Sequence, residues 1–337
     1  MPPTDAGERL VDAHIHLFDF MHETDGAAAL IAAMDAAGVE RAVVFGMPVK
    51  KKWDVAEPDR PGYYMDDVAR CYYFSLTDLL VLEQLDRLPE RDRARIAPMA
   101  CGFDPTDLSA VTQLERLFDH HPPGTWRGVG EVLLRHGDLS ARLVGELPRA
   151  NHAGMRRIAD FCAERQVPLV VHSNASGQGH APEAYVAELE ALLQLYEGET
   201  LVWCHAGISE IHSEHDHVPT VTRLLSEHEV LHVDLSWAAV DDVLDASNEP
   251  HAQWVEMIER FPDRVVLGSD VLGHFGAYEE VFGRTARILD GLSSRTREKV
   301  AHLNAERLWF DGPAAMSPSA TERAPEAVDQ PGGDQHE

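Results

Sequence analysis

Lysine is almost missing from this chain: only Lys50, Lys51, Lys52 and Lys299 occur in 337 residues. Acids outnumber Lys and Arg by 57 to 29, giving a formal charge of −28, part of it in the C-terminal tail. Such a field repels nucleic acid and anionic membranes in bulk, so neither is expected as a partner. Cysteine is equally scarce. Cys71, Cys101, Cys162 and Cys204 make no C-x-x-C pair, which argues against a zinc ribbon and a secreted disulfide framework. No apolar run is long enough to span a bilayer. The opening residues MPPTDAGER lack the basic start and apolar stretch of a secretory signal, so a cytoplasmic protein is expected. A G-x-x-x-x-G-K-[ST] phosphate loop and a G-x-S-x-G elbow are absent, and G-V-G-E-V-L-L lacks the third glycine of a dinucleotide-binding turn.

What is present is a core and a rhythm. Hydrophobic residues make up 44% of the chain, enough for a large folded domain. Short apolar, β-branched runs predict strands at Leu10–His16, Arg41–Met47, Arg95–Phe103, Arg127–Leu133, Pro168–Ser173, Thr200–His205, Val230–Ser236 and Arg264–Ser269. Helical periodicity falls at Gly26–Ala37, Leu76–Leu88, Leu108–His120, His152–Arg165, Pro182–Glu197, Val218–Glu227 and Ala252–Arg260, then at Glu279–Leu289 and Ser294–Leu303. Eight such alternations predict an α/β fold, a closed (β/α)8 TIM barrel over residues 1–311, with a doubly wound open sheet as the alternative. Met47–Phe74 is a long connection after strand two, too aromatic for full disorder. Residues 312–337 are rich in Pro, Ala, Glu, Gln and Gly without apolar period, and a disordered tail is expected there.

The polar residues of the strands fall at their ends. Side chains alternate along a strand, so His14, His16 and Asp12 are expected on one face, and Val11, Ala13 and Ile15 on the other. Strand five ends on His172, strand six on His205 and strand eight runs into Asp270, while Glu131 stands near the end of strand four. In a parallel barrel all these ends meet on one rim. One such residue is most simply a strand cap. A set drawn from five strands points to a metal site, since imidazole and carboxylate suit zinc, manganese or iron. Around the rim, Arg135 is either a clamp for a substrate anion or a loop salt bridge. His136, Ser173, Asn174 and His274 are candidate substrate contacts, and Trp237 is pocket wall or core. The run with His212, His215 and His217 is expected to be a solvated loop, and alternation turns Cys204 away from the pocket.

In their order, D-A-H-I-H, V-V-H-S, W-C-H-A-G and L-G-S-D resemble the amidohydrolase superfamily of metal-dependent barrel enzymes, from Asp12 to Trp309. L-G-S-D and the closing N-A-E-R-L-W (Asn304–Trp309) are most similar to its amidohydrolase-2 branch. The resemblance implies that His14 and His16 bind a first metal, with His172 and Asp270 as ligands or neighbours. Asp270 would also take a proton from the attacking water. His205 would bind a second ion or, in a one-metal site, orient water or polarise the substrate. No lysine lies near strand four to serve as a carboxylated bridge, whereas Glu131 resembles the bridging glutamate of the TatD-like branch. The other reading has Glu131 hydrogen-bond a ligand histidine. One or two divalent ions are expected, zinc first, with manganese or iron as alternatives. The expected activity is hydrolysis of a small-molecule amide, ester, lactone or phosphoester. Nonoxidative decarboxylation of an aromatic or unsaturated acid is the alternative, ahead of a TatD-like nuclease or a non-catalytic metal-binding barrel. Homodimers are common among such barrels.

Overall fold

A computed structural model of the chain describes residues 9–177, 179–209 and 217–311. Eight short parallel strands follow one another: β1 (Leu10–His16), β2 (Val39–Phe45), β3 (Ile96–Pro98), β4 (Val129–Leu133), β5 (Leu169–His172), β6 (Leu201–Trp203), β7 (Leu231–Leu235) and β8 (Val265–Leu267). The first three pair in order, as do the last five. A parallel bridge from Ala100 to Val129 joins the two sheets, and one from His16 to Leu272 closes the ring. The closing seam also carries hydrogen bonds from the Ser269 and Asp270 amides to the His14 carbonyl, at 3.1 and 2.8 Å. This is the closed TIM barrel, not an open sheet. Its strands read as nearly unbroken apolar runs because both faces are buried, one on the barrel interior and one under helices.

Between and after the strands, helices stand close to where apolar periodicity places them. Val218–Glu227 and Ala252–Arg260 match without adjustment. Val186–Leu195 starts four residues late, after Glu183 takes a left-handed φ of 63°. The third strand is shorter than the run Arg95–Phe103 suggests. The buried carboxylate of Asp78 accepts hydrogen bonds from the Cys101 and Gly102 amides and draws that stretch out of the ladder. Near the chain's end, Ala305, Leu308 and Trp309 pack against Val11, Val43, Ala97 and Val266 and plug the barrel at its N-terminal side.

The connection after β2 is ordered. Val49–Lys51 pairs antiparallel with Cys71–Tyr73. Lys51 is buried beside Asp67 and donates to the Ala69 carbonyl. Tyr64 packs against Phe20 at 4.7 Å and reaches within 6.2 Å of His136, so this sub-lobe leans over the C-terminal rim. The tail at 312–337, expected to be disordered, lies outside the described residues. No described helix is long and apolar enough to cross a membrane.

Candidate metal centre

Two strand ends break the alternation that a straight strand would keep. Within β1 the pairing with β2 shifts register between Asp12 and Ile15. Asp12 therefore does not share the face of His14 and His16. Its carboxylate accepts from the Tyr278 hydroxyl at 2.9 Å and from the amides of His14 and Ser269 at 3.0 Å, tying the strand to the outer helix layer. After β6 the chain enters a tight turn, Cys204–Gly207, with His205 and Ala206 at φ 55° and 50°. Cys204 consequently does not turn away. Its thiol packs with the inward-facing residues and lies near His14 and Asp234. Gly207 makes the turn possible, since a Cβ there would lie 1.9 Å from the Trp203 ring.

His14, His16, Glu131, His172 and His205 are buried together, with Asp270 beside them as the most open member. Glu131 is the hub. Its oxygens lie 2.9 Å from His172 Nδ1, 3.2 Å from His16 Nε2, 3.6 Å from His205 Nε2 and 3.8 Å from His14 Nε2. Asp270 lies 3.4 to 3.7 Å from the Nε2 atoms of His16, His14 and His205. Burial opposes the charge on Glu131, but the imidazoles of His14, His16, His172 and His205 outweigh it and hold the carboxyl well below its ordinary range. Burial likewise disfavours a charged His14, yet Asp234, Asp270 and Glu131 raise it to about 10.

The proton count shows what this cluster accommodates. His14 Nδ1 is 2.8 Å from the Asp234 carboxylate, and His16 Nδ1 is 2.7 Å from the Gly46 carbonyl. A carbonyl only accepts, and so does an ionised carboxylate, so both Nδ1 atoms carry hydrogen. In neutral rings the two Nε2 lone pairs then face each other across 3.3 Å. A positive charge relieves that facing: the extra proton of a charged His14 does so, and a divalent ion can take its place. His205 anchors Nδ1 on the Ser236 hydroxyl at 2.8 Å, and its buried Nε2 has no hydrogen-bond partner among the described residues. Aligned lone pairs, an orphaned buried nitrogen and two convergent carboxylates fit a divalent ion. The same atoms form three overlapping ligand groups: His14–His16–Glu131, His14–His205–Asp270 and Glu131–His172–His205.

The rim candidates separate. His136 stacks on His172 at 4.3 Å, and burial, then the neighbouring His172, keeps it uncharged. Asn174 lies 2.9 Å from His172 Nε2. Trp237 stands 5.1 Å from His205 and walls the site. Arg135 donates two hydrogen bonds to Glu188, at 2.9 and 2.6 Å, with its guanidinium over Tyr185. It borders a cleft of about 280 Å³ shared with His136, Asp138, His180 and Tyr185. His274 is not brought into the cluster; it is exposed between Asp19 and Asp25. His217 Nε2 donates to the Ala206 carbonyl at 2.7 Å, whereas His212 and His215 lie outside the described residues. Sequence reasoning missed Asp234. The signal was there: an acid in the middle of L-H-V-D-L, with the apolar neighbours Val233 and Leu235 on the opposite parity.

Comparison with known proteins follows the same line. The family model described as amidohydrolase (the amidohydrolase-2 model) matches residues 11–310. No curated protein matches the sequence significantly. Among solved structures, an uncharacterised TIM-barrel protein of Bordetella bronchiseptica superposes with a TM-score of 0.57 at 15% identity, over 89% of this chain and 98% of that one. A probable 2-pyrone-4,6-dicarboxylic acid hydrolase of Acinetobacter baumannii gives 0.55 at 14%, over 89% and 98%. A 2,6-dihydroxybenzoate decarboxylase of Rhizobium gives 0.51 at 14%, over 91% and 99%. At such identity these likenesses concern the fold.

Proposed function

The chain belongs to the amidohydrolase family, and from that premise we propose that it is a metal-dependent hydrolase whose centre is built on Glu131. The observation that carries this is the convergence of four imidazoles and two carboxylates in overlapping groups of candidate ligand atoms. His14, His16, His172, His205 and Asp270 would hold the ions, and Glu131 would bridge two of them, as in the TatD-like branch. Bound there, a divalent ion supplies Lewis acidity and brings the pKa of water from about 15.7 toward about 7. Asp270 is the acid most open to substrate, with a side chain 12% exposed. It takes the proton of the attacking water and passes it to the leaving group. His205 Nε2, with no hydrogen-bond partner among the described residues, faces the same space and fixes an ion or the electrophile's oxygen. Trp237 and His136 exclude water from one side.

The small-molecule substrate is an amide, ester, lactone or phosphoester. Hydrolysis is favoured over decarboxylation because Arg135, the rim cation best placed to hold a carboxylate, is engaged by Glu188. We further propose a cytoplasmic protein with one catalytic domain over residues 1–311.

The test is a substrate panel run in ¹⁸O-labelled water with zinc- or manganese-loaded protein. The expected result is metal-dependent turnover with one labelled oxygen in the product. Asp270→Asn should stay folded and metal-loaded while kcat falls by roughly 10²–10⁴-fold, the usual worth of a positioned general base. Release of carbon dioxide without label uptake would replace hydrolysis by decarboxylation.

A further inference from the structure

Three of the four clustered histidines are oriented alike. His14, His16 and His205 tie Nδ1 to Asp234, Gly46 and Ser236, and turn Nε2 inward. His172 is reversed: Nδ1 faces Glu131 at 2.9 Å, and Nε2 faces the side-chain oxygen of Asn174, also at 2.9 Å. A neutral imidazole has one hydrogen for these two acceptors. If Nε2 carries it, Nδ1 presents a lone pair beside Glu131, and both can ligate one cation. If Nδ1 carries it, His172 becomes a donor to Glu131 and leaves the ligand set.

Asn174 bears on which state is held. It is 1% exposed, and its backbone amide donates to the Arg135 carbonyl at 2.8 Å, which fixes it at the end of β5. Its side-chain nitrogen is buried without a hydrogen-bond partner among the described residues. With the amide turned as it stands, its oxygen can only accept, and so can the ionised Glu131; a divalent ion beside Glu131 would take the Nδ1 lone pair and leave the one hydrogen on Nε2, where the Asn174 oxygen accepts it. Turned over, the amide would donate to Nε2 and drive the hydrogen to Nδ1.

Resting on the metal-centre reading above, we propose that Asn174 is a positioning residue: its side-chain oxygen commits His172 to the tautomer that ligates through Nδ1. Outer partners of ligand histidines typically change metal affinity by about 10- to 100-fold when lost. Two substitutions separate this role from simple packing. Asn174→Asp keeps the acceptor and removes the possibility of reversal. Asn174→Leu keeps the branched four-atom outline, with added bulk, and removes the acceptor.

The experiment measures zinc affinity by chelator competition and the His172 tautomer by ¹H–¹⁵N correlation of the full chain. In zinc-loaded wild type and Asn174→Asp, a hydrogen on His172 Nε2 is expected, with zinc bound at least as tightly in the aspartate variant. In Asn174→Leu, zinc binding should weaken by about 10- to 100-fold. Zinc-loaded wild type with the hydrogen on His172 Nδ1, or a leucine variant that binds zinc like wild type, would overturn the inference while leaving the metal centre intact. A misfolded leucine variant shifts the decision to the wild-type tautomer and to Asn174→Asp, in which weakened zinc binding is equally contrary. A wild type that binds no zinc would instead remove the metal-centre reading itself.

Discussion

His232 and Asp234 stand two residues apart on β7, and burial resolves differently for each. Burial lowers His232 to about 4, with Arg307 and Arg264 adding to the same direction, so it is neutral in the folded chain. Asp234 is held below its ordinary value because His14 more than offsets its burial. A base whose folded pKa lies below its unfolded one contributes stability above the unfolded value, here near 6.5, and loses it as pH falls toward 4. Over that window the single imidazole is worth up to about 3 kcal/mol, at about 1.4 kcal/mol per unit. His232→Gln in the metal-free protein should therefore flatten the decline of unfolding free energy between pH 6.5 and 4. Asp12 and Asp78, raised by burial to about 6, act in the opposite sense and are common to both proteins. Parallel urea-derived stability curves for wild type and variant would show that His232 does not titrate as described.

Elements place the site, and their irregularities explain what the sequence hid. All eight strands were legible because buried parallel strands announce themselves as apolar runs. Their polar ends, His14, His16, Glu131, His172, His205 and Asp270, were legible for the same reason. Asp12 and Cys204 were not, because alternation assumes a regular strand, while β1 shifts register and β6 ends in a left-handed turn at His205. The reach of Asp78 into the third strand is likewise a tertiary contact that no local pattern encodes. The β1–β8 seam is a fourth such feature. At Gly268 a Cβ would stand 2.5 Å from His14 Cβ and 3.0 Å from its backbone nitrogen. Neither neighbour can swing aside, so Gly268→Ala should force the strands apart. The expected cost is about 1–3 kcal/mol of unfolding free energy, as for other overpacked sites, with weaker zinc binding because His14 moves. Wild-type urea stability and zinc affinity in that variant would show the seam to be slack.

At the scale of the whole molecule, an acidic chain encloses a centre that calls for cations. The formal charge of −28 draws small cations toward the surface. The barrel then narrows that general attraction to one rim, where Glu131 and Asp270 add local negative charge and the histidines supply directed lone pairs. At that rim the aromatic sub-lobe after β2 brings Tyr64 within 6.2 Å of His136. Its composition argued against full disorder, but where it leans depends on packing against Phe20 and on the buried Lys51, which sequence pattern alone does not fix. The most direct test of the account is metal content by elemental analysis, on full-length protein purified without chelator or histidine tag. About two equivalents of zinc, manganese or iron per chain are expected, and fewer in Glu131→Gln. Protein that remains metal-free after zinc and manganese are supplied would contradict that expectation.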